Sequence, residues 1–201
     1  TYAMLSKGDT AGGFPVCEDT QFVKTCRKYG IGRFEDIVAL IALAWPGPVR
    51  LIPEIIARKN GGKPVRYGHP AWEPILRETH GIMLYHEQVI QAIHAVSGIN
   101  LGQANLIRRA FGCNDAEALA AHHRRFLAGC SRQGIGADLA QVVWREIKRC
   151  APHTFFKAHA TGQALLAYRT AWIKANYPEV VAFSRGRLAN ITAGDPTPSV
   201  E

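Results

Sequence analysis

Apolar residues recur at intervals of three and four along most of this chain, and nowhere do they alternate with polar ones for the length of a strand. That periodicity lays one apolar stripe along a helix and has no counterpart on a pleated sheet. It predicts an all-α protein and argues against an α/β nucleotide fold. Helices are predicted over residues 20–29, 34–44, 51–59, 72–76, 83–97, 101–111, 137–150 and 158–176. Another is predicted from Asn114 to about Ser131, and a short one from Glu179 to about Arg187. Gly30, Pro46-Gly47-Pro48, Asn60-Gly61-Gly62, Gly112 and Tyr177-Pro178 supply the breaks. Asn114 with Glu117 has the spacing of a capping box. With 201 residues the chain is expected to form a single helical domain of about eight to ten helices over residues 1–187. Residues 188–201, polar and rich in proline, read as a disordered or linker tail.

Charge is unevenly placed. The net charge is +8, and residues 101–175 hold eleven basic side chains against four acidic ones. Such a local excess suits a surface that faces a polyanion, and equally a solvated helix face. Five cysteines, Cys17, Cys26, Cys113, Cys130 and Cys150, stand far apart with no C-x-x-C pair, which fits neither a disulfide framework nor a zinc site. Idle thiols in a reducing cytoplasm are the simplest account. His122 and His123 are adjacent and diverge on a helix, as surface residues do. No apolar run approaches the twenty residues of a membrane span. The opening Thr1-Tyr2-Ala3 shows no initiator Met and no leader, so an excised piece or processed product in the cytoplasm is expected.

Candidate chemistry is sparse. Paired-metal phosphoryl transfer needs converging carboxylates, and the nearest pattern, Asp115-x-Glu117, already belongs to the capping box. No P-loop, G-x-S-x-G or H-E-x-x-H occurs. Gly134-Ile135-Gly136 and, more loosely, Gly30-Ile31-Gly32 fit the glycine turn of a DNA-binding helical hairpin, in which backbone amides hold a phosphate. The same turn also occurs for steric reasons alone. Arg108-Arg109 ends one helix, where cations suit the dipole. Lys157, with His159 beside it, stands at the start of another, where a cation opposes the dipole unless an anion visits. That placement is the sharpest pointer to a phosphate ligand.

Several blocks resemble the bacterial replicative DNA polymerase III alpha subunit, a C-family polymerase. They are Phe34-Glu35-Asp36-Ile37-Val38-Ala39-Leu40, Pro46-Gly47-Pro48, and Gly81-Ile82-Met83-Leu84-Tyr85-His86-Glu87-Gln88-Val89. Leu101-Gly102, Leu106-Ile107-Arg108-Arg109-Ala110-Phe111-Gly112 and Phe155-Phe156-Lys157-Ala158-His159-Ala160 follow in the family's order. Ala167 to Pro178 closes the series, and Gly8-Asp9-Thr10 with Phe14 and Glu18 looks like its entry.

The resemblance implies the fingers domain, a helical module that closes over template–primer DNA and the incoming deoxynucleoside triphosphate. In the family, residues matching Arg108, Arg109, Lys157 and His159 line the triphosphate side. Arg124, Arg125, Arg132, Lys148 and Arg149, from the same basic stretch, are candidates for DNA contact. Implied partners are DNA, deoxynucleoside triphosphates, the palm and thumb and other replisome subunits, with no membrane. No catalytic residue and no cofactor is expected in this chain, since Mg2+ would sit in the palm of the complete polymerase. The chain alone is therefore expected to be inactive in nucleotidyl transfer. It departs from the family at Trp45 (usually Arg), His86 (usually Gln), Cys113-Asn114 (usually lysines), Phe156 (usually Asn) and Gln163 (usually aromatic). A fragment of a larger polymerase is one reading. A stand-alone, non-catalytic DNA-binding or accessory module derived from the fingers is the other.

Overall fold

A computed structural model of the chain describes residues 1–10, 20–113 and 116–183. Helices dominate these residues, which hold no strand and one isolated β-bridge. The α-helices are α1 (Tyr2–Ser6), α2 (Thr20–Tyr29), α3 (Phe34–Leu43), α4 (Ile52–Lys59), α5 (Glu73–Leu76), α6 (His86–Ser97), α7 (Leu101–Ala110), α8 (Ala116–Arg132), α9 (Ala137–Cys150) and α10 (Lys157–Asn176). Residues 178–183 form a further helical segment. Short 3-10 turns cover Pro48–Leu51, Pro70–Trp72, Arg77–Thr79 and Ala151–His153. The chain divides into two compact units, residues 38–161 and residues 1–37 with 162–201. The Asn114 capping box, Phe14, Cys17, Glu18 and the tail from residue 188 lie outside the described residues.

In the unit of residues 38–161, α6 is the central rod. Val89, Ala92, Ile93 and Val96 are all fully buried on it, at the i, i+3, i+4, i+7 spacing of one helix face. Around them lie Ile107 of α7, Phe126 and Cys130 of α8, and Val143, Trp144 and Ile147 of α9. Trp72 is also fully buried and donates its indole N–H to the Ala92 carbonyl at 3.1 Å, so its one polar atom is satisfied. Where α8 meets the end of α6, Gly129 is buried, and a Cβ there would stand 3.0 Å from Ser97 Cβ. Only the smallest residue permits that approach. α8 turns into α9 through Gly134, whose φ of +76° lets the Gly134 and Ile135 amides close the end of α8 on the Ser131 and Cys130 carbonyls. Those two amides of the glycine turn are thus engaged within the fold.

In the other unit, Leu5 of α1 and Phe22, Cys26 and Tyr29 of α2 are buried. Ser6 Oγ bridges both backbone groups of Ile31, accepting from its N–H at 2.7 Å and donating to its carbonyl at 2.8 Å. Asp36 Oδ2 accepts from the amides of Gly32 (2.9 Å) and Arg33 (3.2 Å). The amides of the looser glycine motif are thus engaged within the fold, Gly30 by the Cys26 carbonyl, Ile31 by Ser6 and Gly32 by Asp36. Lys174 of α10 pairs with Asp9.

Several boundaries differ from the sequence expectation. Residues 83–85 are not helical: Leu84 and Tyr85 run extended, Phe155 donates its N–H to Leu84 O, and His86 donates to Phe155 O, both at 2.9 Å. The Tyr85–Phe155 bridge is parallel and delays the start of α6 to His86. α1, five residues long, is too short to show a period in the sequence. His123 is not a free surface ring. It stacks on Trp144 with centroids 4.7 Å apart, and Nε2 lies 3.1 Å from Gln141 Oε1.

Candidate functional site

The β-bridge brings the first turn of α6 beside the first turn of α10, although 70 residues separate them. Its consequence is an internal cap. Glu87, the second residue of α6, accepts from the backbone N–H of Lys157 at 3.0 Å and from that of Ala158 at 3.5 Å. The unsatisfied amides and positive dipole end of α10 thereby receive a carboxylate from the chain itself. Lys157 points its ammonium the other way, donating to both oxygens of Glu78 at 2.8 Å, with the Tyr85 ring 5.4 Å away. Each charge at this corner meets its opposite.

Arg108 and Arg109 end α7, where the dipole favours cations. Arg108 is half-buried and donates Nε–H to Asn105 Oδ1 at 3.0 Å. Burial, and next the Arg109 charge, push its pKa down, while Glu87 pulls it up. Glu87 is thus the anion shared by Arg108 through space and by the α10 amides through hydrogen bonds. His86 sits in the same group. Burial and the Arg108 charge hold its pKa below the ordinary imidazole value, against Glu87. Its Nδ1 is buried with no hydrogen-bond partner, and its ring meets Phe156 edge-on at 4.1 Å.

His159 lies two residues beyond Lys157 and so faces elsewhere on α10. It is exposed, and its ring contacts Trp45 at 6.4 Å and Phe155 at 5.6 Å. Of the DNA-contact candidates, Arg124, Arg125 and Arg132 are exposed on α8, and Lys148 and Arg149 are exposed on α9. Among the described residues, no three His, Cys, Asp or Glu side chains converge as metal ligands.

Residues 1–134 match the bacterial DNA polymerase III alpha subunit finger domain. The chain belongs to that family. Relatives agree over nearly its whole length. The DNA polymerase III subunit alpha of Halalkalibacterium halodurans is 40% identical over 178 residues, covering 89% of this chain and 16% of the relative. That of Thermus aquaticus is 39% identical over 183 residues, covering 89% and 15%. That of Pseudomonas aeruginosa is 36% identical over 185 residues, covering 89% and 16%. The chain therefore spans about one sixth of the length of these relatives.

Trp45 and Phe156, two positions where the sequence is expected to depart from the fingers pattern, both pack on neighbouring rings. Trp45 stacks on Phe155 with centroids 5.0 Å apart and planes 20° apart, so an aromatic pair, not a guanidinium, stands beside His159. Phe156, 54% exposed, presents an apolar ring to His86. Cys113 is exposed, and Asn114 lies outside the described residues. Glu78 and Glu87 are the site residues that sequence reasoning did not single out. Both lie far along the chain from Lys157, and no local spacing marks the pairing.

Proposed function

We propose that this chain is the fingers portion of a bacterial DNA polymerase III alpha subunit, and that it binds the incoming deoxynucleoside triphosphate and template–primer DNA. The observation that carries this reading is the gathering of the Lys157 ammonium, the α10 amides and the Arg108 charge around Glu78 and Glu87. An anion already occupies the amides, and a triphosphate offers more negative charge than the carboxylates it would replace. Arg108 and Arg109 supply planar forks for phosphate oxygens, Lys157 a compact charge, and His159 a ring N–H. Cations held in place at the triphosphate orient it and oppose the charge that builds on departing pyrophosphate. Arg124, Arg125, Arg132, Lys148 and Arg149 neutralise DNA phosphates without reading bases. Mg2+ belongs to the palm in this reading, where it supplies the Lewis-acid chemistry of transfer.

The test is fluorescence anisotropy of a labelled primer–template mixed with the 201-residue chain over rising salt, with and without dATP. Binding that weakens steeply with salt and tightens with dATP supports the proposal. Arg108→Ala and Lys157→Ala should then abolish the dATP effect while leaving most DNA affinity. If dATP changes nothing in the unsubstituted chain, the triphosphate role is lost.

The second reading, a stand-alone DNA-binding module, draws on the pairing of Lys157 with Glu78 and the capping of α10 by Glu87, which already compensate this corner. Steep salt dependence with no dATP response would favour it. Salt-independent, weak DNA binding would exclude both.

A further inference from the structure

His86 is the titratable side chain at the corner of α6 and α10 to which the triphosphate reading gives no task. It opens α6 beside Glu87, and its backbone N–H donates to Phe155 O at 2.9 Å, so the β-bridge fixes where the ring emerges. The Phe156 ring meets it edge-on at 4.1 Å. Nδ1 is buried there without a hydrogen-bond partner, while the Thr154 backbone bonds the ring. A buried imidazole nitrogen that no donor faces is an unmatched acceptor, and a proton turns it into a donor suited to an anion. We propose that His86 couples anion binding at this corner to the uptake of a proton, so that a phosphate group is held more tightly as pH falls. The proposal rests on the triphosphate reading above and concerns how that same site is regulated.

The groups around the ring set the sign. Burial disfavours the charged ring most, and the Arg108 guanidinium from α7 repels a proton on it. Glu87, on α6 itself, attracts one, and the Thr154 backbone bond also favours the charged form. Arg109 acts on Arg108. From the start of α10, Lys157 has its ammonium on both oxygens of Glu78 at 2.8 Å, and Phe156 brings no charge. Burial and Arg108 prevail, so the free chain keeps the ring neutral at neutral pH. A phosphate entering the corner reverses part of that balance. Its negative charge offsets Arg108, while Glu87, displaced from the amides it caps at 3.0 and 3.5 Å, remains on α6 next to the ring. Both changes favour the imidazolium. His86 and Arg108 are each partly buried, which limits solvent screening between them. Binding and protonation therefore assist each other, by the same factor in each direction. The device belongs to this chain: the family resemblance leads to an expectation of Gln at this position, and Gln takes up no proton.

The test follows the His86 ring by proton NMR in the 201-residue chain, from about pH 5 to about pH 8, with and without saturating dATP. The resonance is assigned by its loss in His86→Gln and, independently of any variant, by its through-space contact with the Phe156 ring. Without ligand the midpoint should lie below 6.5, and dATP should raise it. Each unit of that rise corresponds to about tenfold tighter dATP binding at the acid end of the titration than at the alkaline end. Calorimetry of dATP binding in two buffers of different ionisation heat should show more proton uptake by the unsubstituted chain than by His86→Gln, since the ionisation of the phosphate itself is common to both. Arg108→Gln, with no ligand present, should also raise the His86 midpoint. The proposal is overturned if dATP binds and leaves that midpoint unchanged or lower, or if Arg108→Gln does not move it. If dATP does not bind at all, the triphosphate reading falls and takes the coupling with it. Binding without the midpoint shift removes the coupling alone.

Discussion

Removing the carboxylate of Glu87 tests the whole corner, because stability and phosphate binding should move in opposite directions. In Glu87→Ala the amides of Lys157 and Ala158 lose the acceptor at 3.0 and 3.5 Å. Loss of a helix cap costs about 1 kcal/mol, and loss of a negative charge at a helix N-terminus costs about 0.5 kcal/mol more. For a chain of this size each kcal/mol moves the melting temperature by about 3 °C, so a fall of about 4–5 °C is expected. Glu87→Gln keeps an acceptor and loses only the charge, so its fall should be about a third as large. Thermal melting followed by circular dichroism reads the global effect, and amide hydrogen exchange at Lys157 and Ala158 reads the local one. If phosphate competes with this carboxylate for the α10 amides, Glu87→Gln should also bind dATP more tightly than the unsubstituted chain. Unchanged melting and unchanged exchange at both amides would refute the capping role. Weaker dATP binding in Glu87→Gln would refute the competition.

Other perturbations follow from the same geometry. Gln88 accepts from the amides of Leu84 and Tyr85 at 2.9 and 3.0 Å and donates to Thr79 Oγ1 and Ile75 O at 2.9 and 3.2 Å. Gln88→Ala leaves buried groups unsatisfied and should cost about 3 kcal/mol; urea unfolding checks this, and a loss within error would be inconsistent with the network. Gly129→Ala should destabilise by about 1–3 kcal/mol, because its Cβ presses on Ser97 at the α6–α8 crossing. Gly136→Ser, with open space at the N-cap of α9, should instead stabilise by about 0.3 kcal/mol; equal melting shifts for the two would contradict the packing. His86 has a folded pKa below its ordinary value of 6.5, so the folded state favours the neutral ring. Its contribution is complete above that value and is lost as pH falls below it toward the lower folded pKa. The unsubstituted chain should therefore lose more melting temperature between neutral pH and about pH 5 than His86→Gln does, and parallel losses would exclude the effect.

The sequence carried the long helices well where a glycine and an unbroken stripe coincide. α2 and α9 occupy the predicted residues, and Gly30 takes the left-handed φ of +70° expected of a helix stop. Prediction faltered at Met83-Leu84-Tyr85. Three buried apolar residues ahead of a helix have no period of their own, so an extended run and a helical turn look alike. What decides between them is Phe155, whose backbone pairs with Leu84 and His86, and that partner is invisible to any local window.

The same non-local pairing separates what could be read of the site from what could not. A lysine opening a helix requires a nearby anion, and the sequence alone permits that deduction. It does not say whose anion. The bridge at Tyr85 and Phe155 answers by carrying Glu87 to the α10 amides, while Glu78 takes the ammonium. A cation that opposes its helix dipole is therefore tolerated in this fold without any ligand. A phosphate at this corner must exchange with a carboxylate already in place, so its affinity depends on the difference between the two anions and not on the number of cations. The count of basic residues, which first drew attention to residues 101–175, is for that reason a weaker guide to affinity here than the position of two glutamates outside that stretch.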